Sequence, residues 1–417
     1  MRKIDYFVGV PLCLGLTWFY RLFINWWPQR PIKPQRVVLI ELSEMGSAVL
    51  VDPAMEKLKY QGMELFFAIF KKNKASLEIL GTVPDKNIFL MRDNGILVLA
   101  WDTLRFLFWC RRNKIDSTID LELFSRFTAL LTALCGSRNN VGFYKFHNEG
   151  LYRGDFLTRK VAYNPHIHIA KNFVALVNAL VSENEELPYS KIPVTDKEVS
   201  LKRAIVSHDA VETVRDKVRQ TFPSWSGQSL FLINANASDM LPQRRWPTAE
   251  FIRLIQILLS DHNDILVLLT GSPAERVELD IIANGVNSER CINFAGKVKF
   301  EELIPLYSIS TLMVSNDSGP PHFASVTDLH SFVLFGPETP SLYCSLGSTT
   351  TITAGLACSP CVSAWNHRKT PCLDNQCLKQ IAAEKVAQLV SKYYLDSRSG
   401  QTTESFGRGI HRSVVLD

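Results

Sequence analysis

Short apolar runs alternate with amphipathic stretches along most of the chain. Residues 37–42 (VVLIEL) form such a run, and residues 48–60 then carry helical spacing with Gly62 as a stop. Residues 65–70, 88–90, 96–99, 117–121 and 141–143 predict further strands, and 104–112, 125–135 and 172–181 predict helices. A polar, acidic stretch, 183–200 (ENEELPYSKIPVTDKEVS), reads as a link. The alternation then restarts, with strands at 229–233, 265–269, 293–295, 312–315 and 331–335 and helices at 249–259, 277–283, 300–307 and from His322. Strands alternating with helices argue for parallel sheets covered on both faces. The pattern thus predicts an α/β protein of two doubly wound, Rossmann-like units, 36–190 and 200–390, followed by a polar tail, 391–417, expected to be mobile from Ser397 on. In such sheets the working residues sit in loops at the carboxyl ends of strands. Five loops qualify: 43–47, 120–126, 234–246, 270–275 and 315–322. Two facing sheets would bring them into one interdomain cleft.

The first 35 residues are different. Residues 6–20 (YFVGVPLCLGLTWFY) carry no charge, but Arg21 interrupts the apolar stretch and Gly9, Pro11 and Gly15 weaken it as a helix. A spanning helix needs about 20 apolar residues. Tyr and Trp suit a headgroup region, and the nearby cations suit anionic lipid. The segment therefore reads as an interfacial or re-entrant membrane anchor, with a linker at 28–34. The alternative is a helix packed on the protein's own core. Charge sharpens this division: of the 46 Lys and Arg against 41 Asp and Glu, the whole excess of +5 lies within residues 1–36. The balanced remainder excludes a nucleic-acid binder by bulk charge.

The densest chemical signal is 315–324 (SNDSGPPHFA), followed by 334–340 (LFGPETP). A strand enters a turn with Asp317, Ser318 and Gly319, and the N–H groups of a following helix would face an anion. His322 reads equally as a phosphate contact or as a helix-start residue satisfied by backbone. Arg244 and Arg245, after the Asn236–Ser238 turn, are candidates for phosphates or a solvated pair. Gly271 and Ser272 end another strand, and Glu275 suits a ribose or base edge, or a helix cap.

Taken together, Asp317-Ser318-Gly319-x-x-His322-x-Ala324 with Leu334-Phe335-Gly336-x-x-x-Pro340 resembles the donor-site signature of glycosyltransferase family 9, the heptosyltransferases of lipopolysaccharide core assembly and their relatives. Leu42–Ser47 with Pro53 resembles that family's first strand and glycine loop, Asp120-Leu121-Glu122 with Ser125-Arg126 its second acceptor-side segment, and 234–247 and 271–275 its donor-side loops. The resemblance covers residues 36–385. It implies a GT-B fold, a nucleotide-diphosphate sugar donor on the C-terminal domain, an acceptor on the N-terminal one near Gly46, Ser47 and Arg126, and inverting transfer needing no cofactor. It also implies a lipid-linked saccharide acceptor met at the cytoplasmic face of the inner membrane, where the leader would bind the membrane surface.

The base breaks the pattern. In heptosyltransferases an Asp follows the glycine of the first loop; here Ser47 stands there. The acceptor hydroxyl must lose its proton to a carboxylate, and Glu44 ranks first, Glu122 second and Asp120 third. The substitution also leaves open a catalytically weak sugar- or nucleotide-binding protein. An epimerase-like enzyme on the same fold is a further alternative. Cys358, Cys361, Cys372 and Cys377, spaced C-x2-C-x10-C-x4-C, have the ligand count of a structural zinc site or an iron–sulfur cluster. Paired disulfides or four free thiols are the alternatives.

Overall fold

Strands that are buried on both faces of a parallel sheet read as continuous apolar runs, and those of this chain fall into two such sheets. The structure is a computed structural model that describes residues 2–24, 32–42, 46–147, 151–399 and 412–416. It divides into two units: Met1–Val199 with Ser363–Lys369, and Ser200–Val362 with Thr370–Asp417.

The first unit begins with helices α1 (Arg2–Phe7) and α2 (Gly9–Phe19), followed by a wider turn at Tyr20–Ile24. The break at Val8 has a local cause: Pro11 has no N–H to give to the Phe7 carbonyl and its ring crowds that carbonyl. Within α2, Pro11 lies in the first turn, where a missing N–H costs little. Then follow β1 (Arg36–Ile40), α3 (Ser47–Tyr60), β2 (Glu64–Phe70), α4 (Ala75–Glu78), β3 (Ile88–Met91), α5 (Ile96–Arg112), β4 (Ser117–Asp120), α6 (Arg126–Leu134), β5 (Asn139–Phe143), β6 (Arg159–Val161) and α7 (Ile169–Val181). All neighbours pair parallel, in the order β3-β2-β1-β4-β5-β6. Helices α5 and α6 cover one face, with Phe106, Cys110 and Leu131 packed on Val38, Phe66 and Phe89. Helix α3 packs against α7.

Residues 96–99, expected as a strand, form the first turn of α5. The cause is twofold. Gly95, at φ 142°, turns the chain into the helix. Asp102, buried in its second turn, accepts from the Arg92 N–H at 2.9 Å and from its guanidinium at 2.9 and 2.7 Å. The Asp102 carboxyl is held at about 2 by those bonds.

The second unit runs α8 (His208–Thr221), β7 (Ser229–Asn234), α9 (Thr248–Asp261), β8 (Ile265–Leu269), α10 (Arg276–Val286), β9 (Cys291–Asn293), α11 (Leu303–Ile309), β10 (Leu312–Asn316), α12 (Gly319–Ala324), β11 (His330–Leu334), α13 (Pro340–Tyr343), β12 (Thr349–Thr353), α14 (Gln376–Lys379), α15 (Ala383–Arg398) and β13 (Arg412–Val415). Its order, β13-β12-β11-β10-β7-β8-β9, is parallel throughout. The expected strand at 293–295 lies two residues earlier, and the expected polar tail contains the end of α15 and an added strand, β13, on β12. Helix α15 returns over the sheet. Its buried Tyr394 meets Phe231 edge-on at 5.0 Å, and the Tyr394 hydroxyl donates to Asp264 Oδ2 at 3.0 Å.

In both sheets the strand order reverses once, between β1 and β4 in the first unit and between β7 and β10 in the second. The carboxyl ends of strands flanking such a reversal form a crevice suited to ligands.

Candidate active site

In the second unit, β7 ends at Asn234, whose Nδ2 donates to the Thr270 carbonyl at 3.0 Å and ties the loop after β7 to that after β8. The next residues, Ala235, Asn236 and Ala237, stay buried, while Ser238 is exposed and its hydroxyl accepts the Met240 N–H at 3.2 Å. Asn316, at the end of β10, bridges the reversal. Its Nδ2 donates to the Ala235 carbonyl at 2.7 Å, and its Oδ1 accepts the Trp246 N–H at 3.0 Å. Trp246 is fixed at its other end by its indole N–H, which donates to the Ile381 carbonyl at 2.9 Å. Asn316 went unmarked in the sequence. Its signal was its place as an amide at the end of a buried strand that begins Leu-Met-Val.

Arg244 and Arg245 have different surroundings. Arg244 Nη1 lies 3.5 Å from Asp317 Oδ2, across the strand reversal. Arg245 turns back on its own loop and donates from Nε and Nη2 to the Ala237 carbonyl at 3.0 and 2.7 Å, with Nη2 also on Asp239. Two buried donors here, Asn236 Nδ2 and Arg244 Nε, have no hydrogen-bond partner among the described residues. Buried polar atoms are ordinarily satisfied, so these two mark a place for an acceptor-rich group.

Ser318 Oγ donates to the Asn316 carbonyl at 3.1 Å and lies 3.1 Å from Ser315 Oγ, so it braces the turn instead of capping α12. Pro320 and Pro321 fill the first turn of α12 and carry no N–H. The expected cradle of backbone donors is correspondingly thin, because two of the first three helical residues have no N–H. His322 is buried. Glu275 caps its own turn, its Oε2 accepting the Ser272 N–H at 2.6 Å. Gly271 lies so close to that carboxylate that a Cβ would sit 3.0 Å from Glu275 Oε2 and 2.9 Å from Leu279.

In the first unit, Glu44 lies outside the described residues, and Gly46 precedes α3 at its amino end, where Ser47 is the first helical residue. Glu122 Oε1 accepts the Leu42 N–H at 3.1 Å, which places that carboxylate at the end of β1, beside the first loop. Asp120 is buried under an ion pair with Arg153, whose Nη2 also donates to Thr128 Oγ1 at 2.9 Å. Burial pushes the Asp120 carboxyl up, against the pull of Arg153. These two residues, with Phe143, Lys145 and Tyr152, line a cavity of about 60 Å³. Arg153 was not foreseen, because its partner is 33 residues away. Arg126, expected near the acceptor, is buried with its Nη1 3.1 Å from Asp5 Oδ2.

The four clustered cysteines are free thiols: Cys358 exposed, Cys361 and Cys372 half-buried, Cys377 buried. Burial and the neighbouring Cys361, Cys372 and Cys358 push the Cys377 thiol up to about 11. Cys361 donates to Thr370 Oγ1 at 3.5 Å and Cys372 to the Asp374 carbonyl at 3.1 Å. Among the described residues no three His, Cys, Asp or Glu side chains are arranged to hold a metal ion. The expectation of a zinc or iron–sulfur staple is not supported, because two of the four thiols are turned to oxygens of their own loop.

Comparison with known proteins identifies the family. The model of glycosyltransferase family 9 (heptosyltransferase) matches residues 110–371. Lipopolysaccharide heptosyltransferase 1 of Campylobacter coli is 21% identical over 310 residues, which cover 73% of this chain and 85% of that protein. The solved structure of the E. coli ADP-heptose lipopolysaccharide heptosyltransferase II superposes with a TM-score of 0.64 at 16% identity, over 87% of this chain and 100% of that one. That of the E. coli heptosyltransferase WaaC with ADP gives 0.59 at 16% identity, over 86% and 100%. The two parallel α/β sheets are those of the GT-B heptosyltransferase fold. With the family model spanning more than half of its length, the chain belongs to glycosyltransferase family 9 and is a glycosyltransferase.

Proposed function

We propose that this glycosyltransferase moves a sugar, with heptose the first candidate, from a nucleoside diphosphate to a lipid-linked saccharide such as lipopolysaccharide core, with inversion and without a metal. The observation that carries the reading is the pair of unsatisfied buried donors, Asn236 Nδ2 and Arg244 Nε, at the strand reversal of the second unit. Donors fixed in a dry site suit the charge that grows on a departing diphosphate. Adenine is the base to test first, since E. coli relatives are an ADP-heptose enzyme and one solved with ADP.

In the reaction the acceptor oxygen forms a bond to the anomeric carbon as the bond from that carbon to the β-phosphate oxygen breaks. The electron pair leaves with the nucleoside diphosphate, and the acceptor proton passes to a carboxylate. Glu122 is the described candidate for that base, because its bond to the Leu42 N–H sets it beside the first loop. Glu44 in the same loop is the other. Asp120 is unsuited, being buried under Arg153. We assign the acceptor to the first unit and the membrane contact to its leader, at the cytoplasmic face. No described helix is long and apolar enough to cross a membrane, which accords with contact in the plane of the surface.

The test is incubation with ADP-heptose and a lipid A–core acceptor in the presence of EDTA. ADP release that requires acceptor, with an inverted anomeric centre in the product, supports the reading. Glu122→Gln or Glu44→Gln, whichever removes the base, should lower kcat by about 100-fold or more with KM little changed. The Ser47 position favours one second reading, nucleotide binding without turnover. Tight ADP binding with no ADP release on adding acceptor would establish it instead.

A further inference from the structure

The outward face of α5 is apolar where a helix facing water is ordinarily polar. Leu97, Trp101, Leu104 and Phe108 recur at spacings of four and three, and are 87, 60, 61 and 69% exposed. The same helix buries Phe106 and Cys110 in the core on its other side. Single exposed apolar residues are common, but a stripe of four along ~16 Å of one helix face marks a contact surface.

Charge identifies what the surface fits. The one acid on α5, Asp102, is buried and paired with Arg92 and Arg105. At the carboxyl end Arg111, Arg112 and, just beyond, Lys114 are exposed. An apolar stripe containing Trp and Phe and ending in three cations is complementary to the boundary between acyl chains and anionic headgroups. Position supports this. Helix α6 contacts both α5 and α2, and α2 likewise leaves Leu12 and Trp18 half or more exposed while its Cys13 packs on α6.

We propose that the α5 face is a lipid-docking surface. It lies in the plane of an anionic bilayer and acts beside the outer face of α2 to hold the first unit on the membrane. The inference extends the reading of a lipid-linked acceptor and rests on it for its purpose, but its test needs neither donor nor acceptor.

The full chain is floated with vesicles of phosphatidylcholine alone and of phosphatidylcholine mixed with phosphatidylglycerol. Stronger partition onto the mixed vesicles is expected. Trp101→Ser with Phe108→Ser should lower it about tenfold or more, at unchanged melting temperature and ADP affinity. Arg111→Glu with Arg112→Glu should remove the preference for the anionic vesicles. A milder variant covers misfolding: brominated phosphatidylcholine should quench less tryptophan fluorescence in Trp101→Phe than in the unaltered chain. Flotation or quenching unchanged by these variants overturns the proposal. So does a dimer in sedimentation velocity that Trp101→Ser with Phe108→Ser converts to monomer, since the face would then bind a second copy. Transfer to a detergent-dissolved lipid A–core acceptor by the unaltered chain reads the proposed function separately: its absence with flotation intact counts against the lipid-linked acceptor and leaves the surface standing.

Discussion

Asp5, the one acid in the first 36 residues, accepts the backbone N–H of Arg126 at 3.0 Å, and its other oxygen meets the Arg126 guanidinium at 3.1 Å. The Phe127 N–H reaches the same carboxylate at 3.2 Å. A carboxylate at the amino end of a helix satisfies otherwise unpaired N–H groups and meets the positive end of the helix dipole. The leader is thus latched to α6 from outside, with Gly9 allowing close approach: a Cβ there would lie 2.9 Å from that of Arg126. The leader's inner face packs on the protein, as the alternative expectation had it, and its outer face stays exposed and apolar.

Removing the latch should loosen the leader without unfolding the sheets. Asp5→Ala is expected to cost about 1–2 kcal/mol and to expose residues 1–24 to protease. Mass spectrometry of early cleavage products checks this. Cleavage in the leader no faster than in the unaltered chain would show that α2 packing alone holds it.

The two arginines of the donor loop should separate in binding experiments. Arg244 has a free buried Nε and faces Asp317, whereas Arg245 holds the Ala237 carbonyl. Arg244→Gln should weaken ADP by about 1.5–3 kcal/mol, roughly 10- to 100-fold, with adenosine little changed. Arg245→Ala should weaken both to similar degrees, because it frees the loop. Titration calorimetry with the two ligands decides, and a diphosphate-specific loss in Arg245→Ala would reverse the assignment.

Asn316 is the structural link across the strand reversal of the second unit. Asn316→Ala leaves the Ala235 carbonyl and the Trp246 N–H without their partner in a buried place. The expected loss is about 2–4 kcal/mol of stability, read from urea unfolding. Each buried group left unpaired costs about 1–3 kcal/mol, so a change under about 1 kcal/mol would mean that water or a shift of the loop replaces both bonds.

Acid should find a weak point at His330. The ring is buried, with Nδ1 2.8 Å from Ser348 Oγ and Nε2 3.1 Å from Thr350 Oγ1, and stacks on Tyr393 at 4.2 Å. Burial lowers it from 6.5 to about 3. The folded state therefore refuses a proton that the unfolded chain accepts. This contribution to stability is complete above pH 6.5 and is lost as the pH falls toward 3, at about 1.4 kcal/mol per pH unit. His330→Gln should flatten the fall in urea midpoint between neutral and weakly acidic buffer. An equally steep fall in the variant would place the acid sensitivity elsewhere.

The strand-end loops of the second unit were legible because they are local. Asp317, Ser318 and Gly319 adjoin one strand, and Arg244 and Arg245 adjoin one turn, so spacing alone brings their chemistry together. That Arg244 turns toward Asp317 while Arg245 turns back on its own loop was not legible, because Asp317 lies 73 residues from Arg244. Helix α5 was half missed. Its outer face is apolar too, so residues 96–99 gave no polar interval from which a helical period could be read.

The apolar runs by themselves determined that the chain would build two parallel α/β sheets, since a strand such as Ile265–Leu269 is stable only when both its faces are covered. Tertiary structure decided what each polar residue does. Asp120 is paired away by Arg153, Glu122 is set at the end of β1, and Arg126 is taken by Asp5. Charge partners in a folded chain are chosen by distance in space, and linear order does not encode that distance until the strands have found their register.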